Sequence, residues 1–277
     1  MCVTLGQAEI TDTEVYGYVA PRVNGVVRHV VGYQNKAKNL TNAPNCMFLN
    51  YPGTDLQLVQ PATHTRNLMS EITSSLLGVI EIRASRSGGM YGDRSVTIEE
   101  YGDYTIVCAQ DPHDILAALD QVDEQRRPID KNGRLERMAD HLARFKPNDS
   151  ILMGCFDGQV KPKHPIVTNY IPNDSTVLAV PGLDGHDGGR PVIGAPVARQ
   201  FKVAFGVHGM PHGQAVDYGD KDAVSPLWVP ERVVGFVDNR PHGPNGDYAL
   251  PIDAITAQMN WLDEASTLAG KLLDTHL

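Results

Sequence analysis

The residue with the clearest chemical potential is the second one. Cys2 follows Met1 directly, and a small residue at that place permits methionine removal. The product would carry an α-amine and a thiol on one residue. An α-amine has a pKa of about 7.7–8, so at neutral pH a usable fraction is unprotonated. It can then take the thiol proton as a general base, and nucleophile and base need no partner distant in sequence. The competing reading is a Cys2 that simply packs at a strand end.

A second concentration of chemistry lies between residues 181 and 251. This quarter of the chain holds 12 of the 26 glycines, 9 of the 19 prolines and 4 of the 10 histidines. Asp184, His186 and Asp187 form a dense acid/imidazole group, and His208 and His212 are four apart. Imidazole and carboxylate suit zinc, manganese or iron, so His186, Asp187, His208 and His212 are the candidate ligands of a divalent metal. No other cofactor is indicated. Gly209, Pro211 and Gly213 deny the two histidines a shared helix face, and HExxH is absent. The alternative is turn chemistry, with Asp and His capping turns and Gly taking positive φ. Loops of this kind also shape pockets and partner surfaces.

The opening Met1-Cys2, followed by the apolar Val3-Thr4-Leu5, resembles the N-terminal-nucleophile hydrolases that use cysteine, among them glutamine amidotransferases and bile-salt or penicillin acylases. That resemblance implies a β-strand beginning at the cysteine, an αββα sandwich, and attack on an amide carbonyl. It also calls for an arginine and an aspartate after the first strand, for which Arg22 and Asp12 are the nearest candidates. An oxyanion donor is needed as well, with Asn35 or Asn169 as the residues considered. The chain departs from the amidotransferase start Met-Cys-Gly-Ile, since Val3 and Thr4 replace Gly and Ile. It is also similar to uncharacterised bacterial and phage proteins that begin Met-Cys and carry segments like Cys155-Phe156-Asp157 and Leu183-Asp184-Gly185-His186-Asp187-Gly188. No activity comes with that second likeness.

Composition narrows the classes. The 277 residues carry 24 basic and 33 acidic side chains, a net charge of −9, which argues against a nucleic-acid binder. The basic residues from Arg126 to Arg137 are interleaved with acids and read as a solvated helix face. The longest apolar runs, such as residues 75–80, fall far short of the roughly 18 residues of a membrane helix, and no signal peptide opens the chain. A cytoplasmic protein is the expectation. Cys46, Cys108 and Cys155 sit in apolar strings with no C-x-x-C pair, so they read as small buried hydrophobes. Walker, Rossmann and Gly-x-Ser-x-Gly patterns are absent.

The elements that would position these residues begin with a hairpin. Residues 15–19 and 26–31 are rich in β-branched and aromatic residues and flank Asn24-Gly25. Further strands are expected over 46–50, 95–99, 104–109, 151–156, 165–170, 176–180, 197–207 and 232–237, with loop over 86–93. Helices are expected over 65–77, from the cap Asp111 to Pro128, over 133–145, and over 252–273 with Ile255, Met259, Leu262, Ala265, Leu268 and Leu272 as an apolar stripe. The pattern predicts one α+β domain over residues 1–277: mostly antiparallel sheet, two central helices and a long C-terminal helix. For function the first expectation is an N-terminal cysteine amidohydrolase using Cys2, Arg22 and Asn169 on a small-molecule or peptide amide. The second, from another class, is a non-enzymatic interaction or assembly protein, of phage or other viral kind, that binds a protein partner or itself. A metal-dependent hydrolase is third.

Overall fold

The computed structural model describes residues 2–41, 43–59, 67–76, 96–130, 132–157, 164–218, 225 and 227–257. Its organising hairpin is the one signalled by Asn24-Gly25. Both residues take left-handed φ, 52° and 80°, as a type I′ turn requires, and Val23 bridges Val26 across them. The arms, in chain-order numbering, are β2 (Ala8–Val19) and β3 (His29–Asn39). They pair antiparallel except for an irregularity between Thr11 and Glu14, where Asp12 has φ 51°.

This hairpin is the middle of a seven-stranded sheet. Its order is β14 (Gln214–Ala215), β15 (Arg232–Asp238), β13 (Phe201–Val207), β2, β3, β9 (Ile166–Pro172) and β5 (Gly53–Leu58). A six-stranded sheet faces it, in the order β11 (Asp184–Gly185), β1 (Cys2–Thr4), β4 (Asn45–Tyr51), β8 (Ser150–Phe156), β7 (Tyr104–Ala109) and β6 (Val96–Tyr101). Two short ladders complete the strands: β10 (Val177–Val180) with β17 (Tyr248–Pro251), and β12 (Pro196–Val197) with β16 (Gly243–Pro244). The pairs β1/β11 and β2/β13 are parallel; the others are antiparallel.

The central core lies between the two large sheets. Met47, Leu49 and Tyr104 from one meet Val31, Tyr33 and Phe205 from the other. Helices lie on the outer faces. The helices α2 (Pro112–Ala118) and α3 (Arg134–Phe145) cover the six-stranded sheet over Val3, Phe48 and Val107. The helix α1 (Leu68–Ser74) covers the seven-stranded sheet over Tyr16, Tyr18 and Val30. Strands β7 and β8 are therefore covered on both sides and buried at every residue, which explains their continuous apolar sequences. Tyr16 lies across Gly32, where a Cβ would come within 2.0 Å of its ring, so glycine is required at that place in β3.

The expected α+β domain with a long C-terminal helix is corrected by this arrangement: strands make the body, and the helices are short. The C-terminal helix begins as α4 (Ile252–Thr256), but Ala257 is extended, with ψ 144°, so the apolar stripe does not continue as one helix from 252. Residues 258–273 of that expectation lie outside the described residues, as does the loop expected over 86–93. The helix expected to reach Pro128 ends earlier. After α2 comes one 3-10 turn (Leu119–Gln121), and Val122 turns extended and buried. The Arg127 guanidinium then caps the carbonyls of Asp120 and Val122. The expected strand over 197–207 is two strands, β12 and β13, separated by Arg199.

His29, at the start of β3, is fully buried against the edge of Tyr170, ring centroids 5.8 Å apart. Neither ring nitrogen has a hydrogen-bond partner among the described residues. Burial pushes its pKa down to about 4, against the opposing pull of Asp174. The folded state thus keeps His29 neutral where the unfolded chain binds a proton below about pH 6.5. Stability is expected to fall as pH drops from about 6.5 to 4, with His29 contributing about 2–3 kcal/mol of the loss. Urea unfolding of wild type and His29→Phe across that range checks this. The variant should show a flatter profile.

Candidate functional site

Strand β1 is only three residues long, yet it is held on both sides. Cys2, Val3 and Thr4 pair antiparallel with Leu49, Phe48 and Met47 of β4, and Cys2 and Val3 pair parallel with Asp184 and Gly185 of β11. Alternation puts Cys2 and Thr4 on one face and Val3 on the other. Val3 packs toward the helices and Cys2 into the core between the sheets. Gly185 lies with Val3, so Asp184 and His186 fall on the face of Cys2. The thiol, 1% exposed, is thereby set beside an imidazole and a carboxylate that are more than 180 residues away in sequence. Asn35 reaches it from β3: its Nδ2 donates to the Tyr33 hydroxyl at 3.0 Å and lies 4.0 Å from the Cys2 sulfur.

A buried cation explains why β11 lies there. Arg199 is 2% exposed and sits over the rings of Phe201 and Tyr248, 4.6 and 4.7 Å from their centroids. Its Nη1 donates to the Gly182 carbonyl at 2.6 Å, Nη2 to that of Gly246 at 3.2 Å, and Nε to the Tyr248 hydroxyl at 3.1 Å. Asp238 lies 3.5 Å from Nε. Two further side chains fasten the segment before β11. Asp247 accepts from the amides of Gly182 and Leu183, both at 2.9 Å, and Asn245 bonds both the amide and the carbonyl of Asp184 at 2.7 Å. The Leu183 carbonyl then accepts from the Cys2 amide at 2.6 Å, which ties the segment to β1. Burial works against the Asp238 charge, but bonds from Arg240 and Tyr248 outweigh it and hold the carboxyl down to about 2.

His186 is the electrostatic centre. Its Nδ1 lies 2.9 Å from Asp184 Oδ1. Burial opposes the charged ring, yet the Asp184 carboxylate and the Cys2 sulfur outweigh burial and push the pKa up to about 10. The imidazole is therefore protonated at neutral pH. Besides Asp184, the ring's bonding partner is the Cys2 sulfur, whereas Thr4 Oγ1 and Asn35 Oδ1 are buried with no hydrogen-bond partner among the described residues. On the solvent side, Asp184 and His186 form part of the wall of a groove of about 580 Å³, with Gln7, Leu40, Arg190 and Val192 among its other residues.

The remaining candidates go elsewhere. Arg22 is exposed beside the hairpin tip. Asn169 lies opposite Val30 on the outer face of its sheet, where its Oδ1 accepts from Arg28, so of the two asparagines considered it is Asn35 that reaches Cys2. His208 Nδ1 lies 3.3 Å from the Tyr18 hydroxyl, His212 Nε2 lies 3.1 Å from the Ile255 carbonyl, and Asp187 accepts from the Gly189 amide in a turn. The four proposed metal ligands are thus dispersed, and among the described residues no group of three or more His, Cys, Asp or Glu is placed to hold a metal ion. The other three cysteines are buried, as their apolar surroundings indicated. No described helix is long and apolar enough to cross a membrane. In the sequence Cys2 and His186 belong to separate hypotheses, because nothing local to either residue signals the other.

No known family model matches the chain. Comparison with curated proteins likewise gives no match. Among solved structures, the crystal structure of baculovirus P35 aligns with 74% of this chain at 12% identity and a TM-score of 0.43. A mutated baculovirus P35 after caspase cleavage aligns with 74% at 13% identity and a TM-score of 0.40. The chain spans 66% of the first of these chains and 69% of the second.

Arg199→Met removes one member of the buried network and leaves Gly182, Gly246 and Asp238 short of a donor. It is expected to cost about 3–5 kcal/mol in urea unfolding, with the amide of Cys2 losing hydrogen-exchange protection disproportionately. Uniform loss of protection would show that the network does not specifically anchor β11.

Proposed function

We propose that the chain carries out acyl transfer on an amide or ester through Cys2, with His186 and Asp184 as its partners. The observation that carries this reading is the placement of the three side chains on one face of β1 and β11, a nucleophile followed by an imidazole and an orienting carboxylate. The sulfur would react as its conjugate base, with the imidazolium as its counter-ion. The sulfur would attack the carbonyl carbon, with Asn35 Nδ2 and the Tyr33 hydroxyl as side-chain donors beside it for the developing oxyanion. His186 would then pass its proton to the leaving nitrogen or oxygen, and water would release the acyl group from the thioester. Asp184 fixes the ring and supports its charge.

Here the proton-carrying partner is His186 rather than the α-amine of Cys2, so the reading no longer depends on loss of Met1. Arg22 and Asn169 have no part in it. The groove along Asp184 and His186 supplies the approach. A second reading rests on the same groove: Leu40 and Val192, 54% and 65% exposed, give it an apolar rim that favours a peptide or protein segment as occupant.

Incubation with a panel of activated thioesters and p-nitrophenyl esters, read by intact mass, tests the proposal. An acyl adduct mapping to Cys2 is expected, lost in Cys2→Ala and formed at least ~100-fold more slowly in His186→Gln. Adducts spread over several cysteines, or an unchanged rate in His186→Gln, would refute it.

A further inference from the structure

The groove beside Asp184 and His186 is a preformed feature. Its volume of about 580 Å³ falls within the roughly 300–1,000 Å³ of ligand clefts. Backbone bonds tie its walls together. On one side the Ala8 amide donates to the His186 carbonyl at 2.9 Å, and the Leu40 amide to that of Gln7 at 3.0 Å. On the other the Gly194 amide donates to the Asn245 carbonyl at 2.7 Å, and the Asn245 amide to that of Ala195 at 2.9 Å. Pro191 is buried against Gly185, where a Cβ would meet its own at 3.2 Å. Arg190 and Val192 flank it, and both line the groove with Leu40 and Val197. Leu40, Val192 and the neighbouring Ile193 are exposed, an apolar patch of the kind that marks a binding surface.

The charges of the wall leave one group without an answer. Asp184 and His186 hold each other at 2.9 Å, and Asp187 Oδ1 accepts from the Gly189 amide at 2.8 Å. Arg190 is exposed and makes no hydrogen bond or ion pair among the described residues. Its charge reaches Asp140 and His141 only from beyond ion-pair distance, and Asp140 is engaged by His113 at 3.0 Å. A ligand that completes this wall brings an anion for the guanidinium and, directly beside it, an apolar group for Val192 and Leu40. Those two features occur together at the carboxyl end of a polypeptide whose last residue is apolar. We propose that the groove binds the free carboxyl terminus of a partner polypeptide ending in a branched apolar residue, its carboxylate on Arg190 and its side chain against Leu40 and Val192. A planar guanidinium meets a carboxylate through two parallel N–H···O bonds, which fixes the chain end. The inference rests on the reading of the groove as a peptide site and uses none of the chemistry of Cys2.

The probe is acetyl-Ala-Ala-Ala-Leu as the free acid, titrated into the full chain and followed by backbone amide NMR shifts. The same peptide as its C-terminal amide removes only the carboxylate, and acetyl-Ala-Ala-Ala-Ser removes only the apolar side chain. The leucine acid is expected to shift the amides of Leu40, Arg190 and Val192. It should bind at least ~10-fold more tightly than its amide and several-fold more tightly than the serine acid. Arg190→Gln should erase the difference between acid and amide and leave the spectrum otherwise native, since the side chain is exposed and unbonded. Arg190→Lys, which keeps the charge without the fork, should retain part of it. Equal affinity of acid and amide, or a preference that survives Arg190→Gln, would overturn this inference and leave a peptide groove in place. Absence of shifts with every peptide would remove the peptide reading and this one together. Isocaproate binding as tightly as the leucine acid would make the occupant a small carboxylic acid rather than a chain end, and the proposal would fail.

Discussion

Arg199 carries its charge where no water solvates it, and the segment that bears Asp184 and His186 is arranged around that constraint. A buried guanidinium is tolerable only if its donors are met and an acid answers its charge. Here the carbonyls of Gly182 and Gly246, the Tyr248 hydroxyl and Asp238 do so. Those bonds bring together two loops about 65 residues apart. Asn245 and Asp247, flanking Gly246, then grip the amides from Gly182 to Asp184. Strand β11 is short and would not hold its place by two residue pairs alone. It stays beside β1 because the loop before it is clamped.

The consequence reaches Cys2 through register. Parallel pairing of Cys2 with Asp184 fixes which side chains share a face, and a slip of one residue would turn Asp184 and His186 away from the sulfur. The charge on His186 follows from the same placement, since burial alone would neutralise the ring and two neighbours reverse that effect. The chemistry of the site is therefore decided by packing around Arg199, at some distance from the atoms that react.

Much of the strand pattern was legible. The Asn24-Gly25 turn, the apolar runs of β7 and β8 and the Asp111 cap all act through local physics, and local physics is visible in a single sequence. What failed was global. The apolar stripe after Ile252 reads as a helix by periodicity, but periodicity carries no information about Ala257 turning extended. Arg199 falls inside the expected strand 197–207, and nothing local marks it, Asn245 or Asp247, because their value lies in bonds to the distant backbone of residues 182–184. Asn35 could be weighed only as one of two asparagines, and the choice between them depends on which face of β3 or β9 each one occupies. His186 stood out, but as a metal ligand. Its actual neighbour comes from the other end of the chain, and no spacing rule connects the two.

The central claim is that His186 is held protonated against its burial by Asp184 and Cys2. Ring nitrogen and carbon NMR shifts of His186, followed from pH 6 to 11 in wild type and in Cys2→Ala, measure it directly. The account requires an imidazolium that persists to about pH 10 in the wild type and loses its proton at lower pH once the sulfur is gone. A ring that is neutral at pH 7, or one that titrates identically in both proteins, would contradict it.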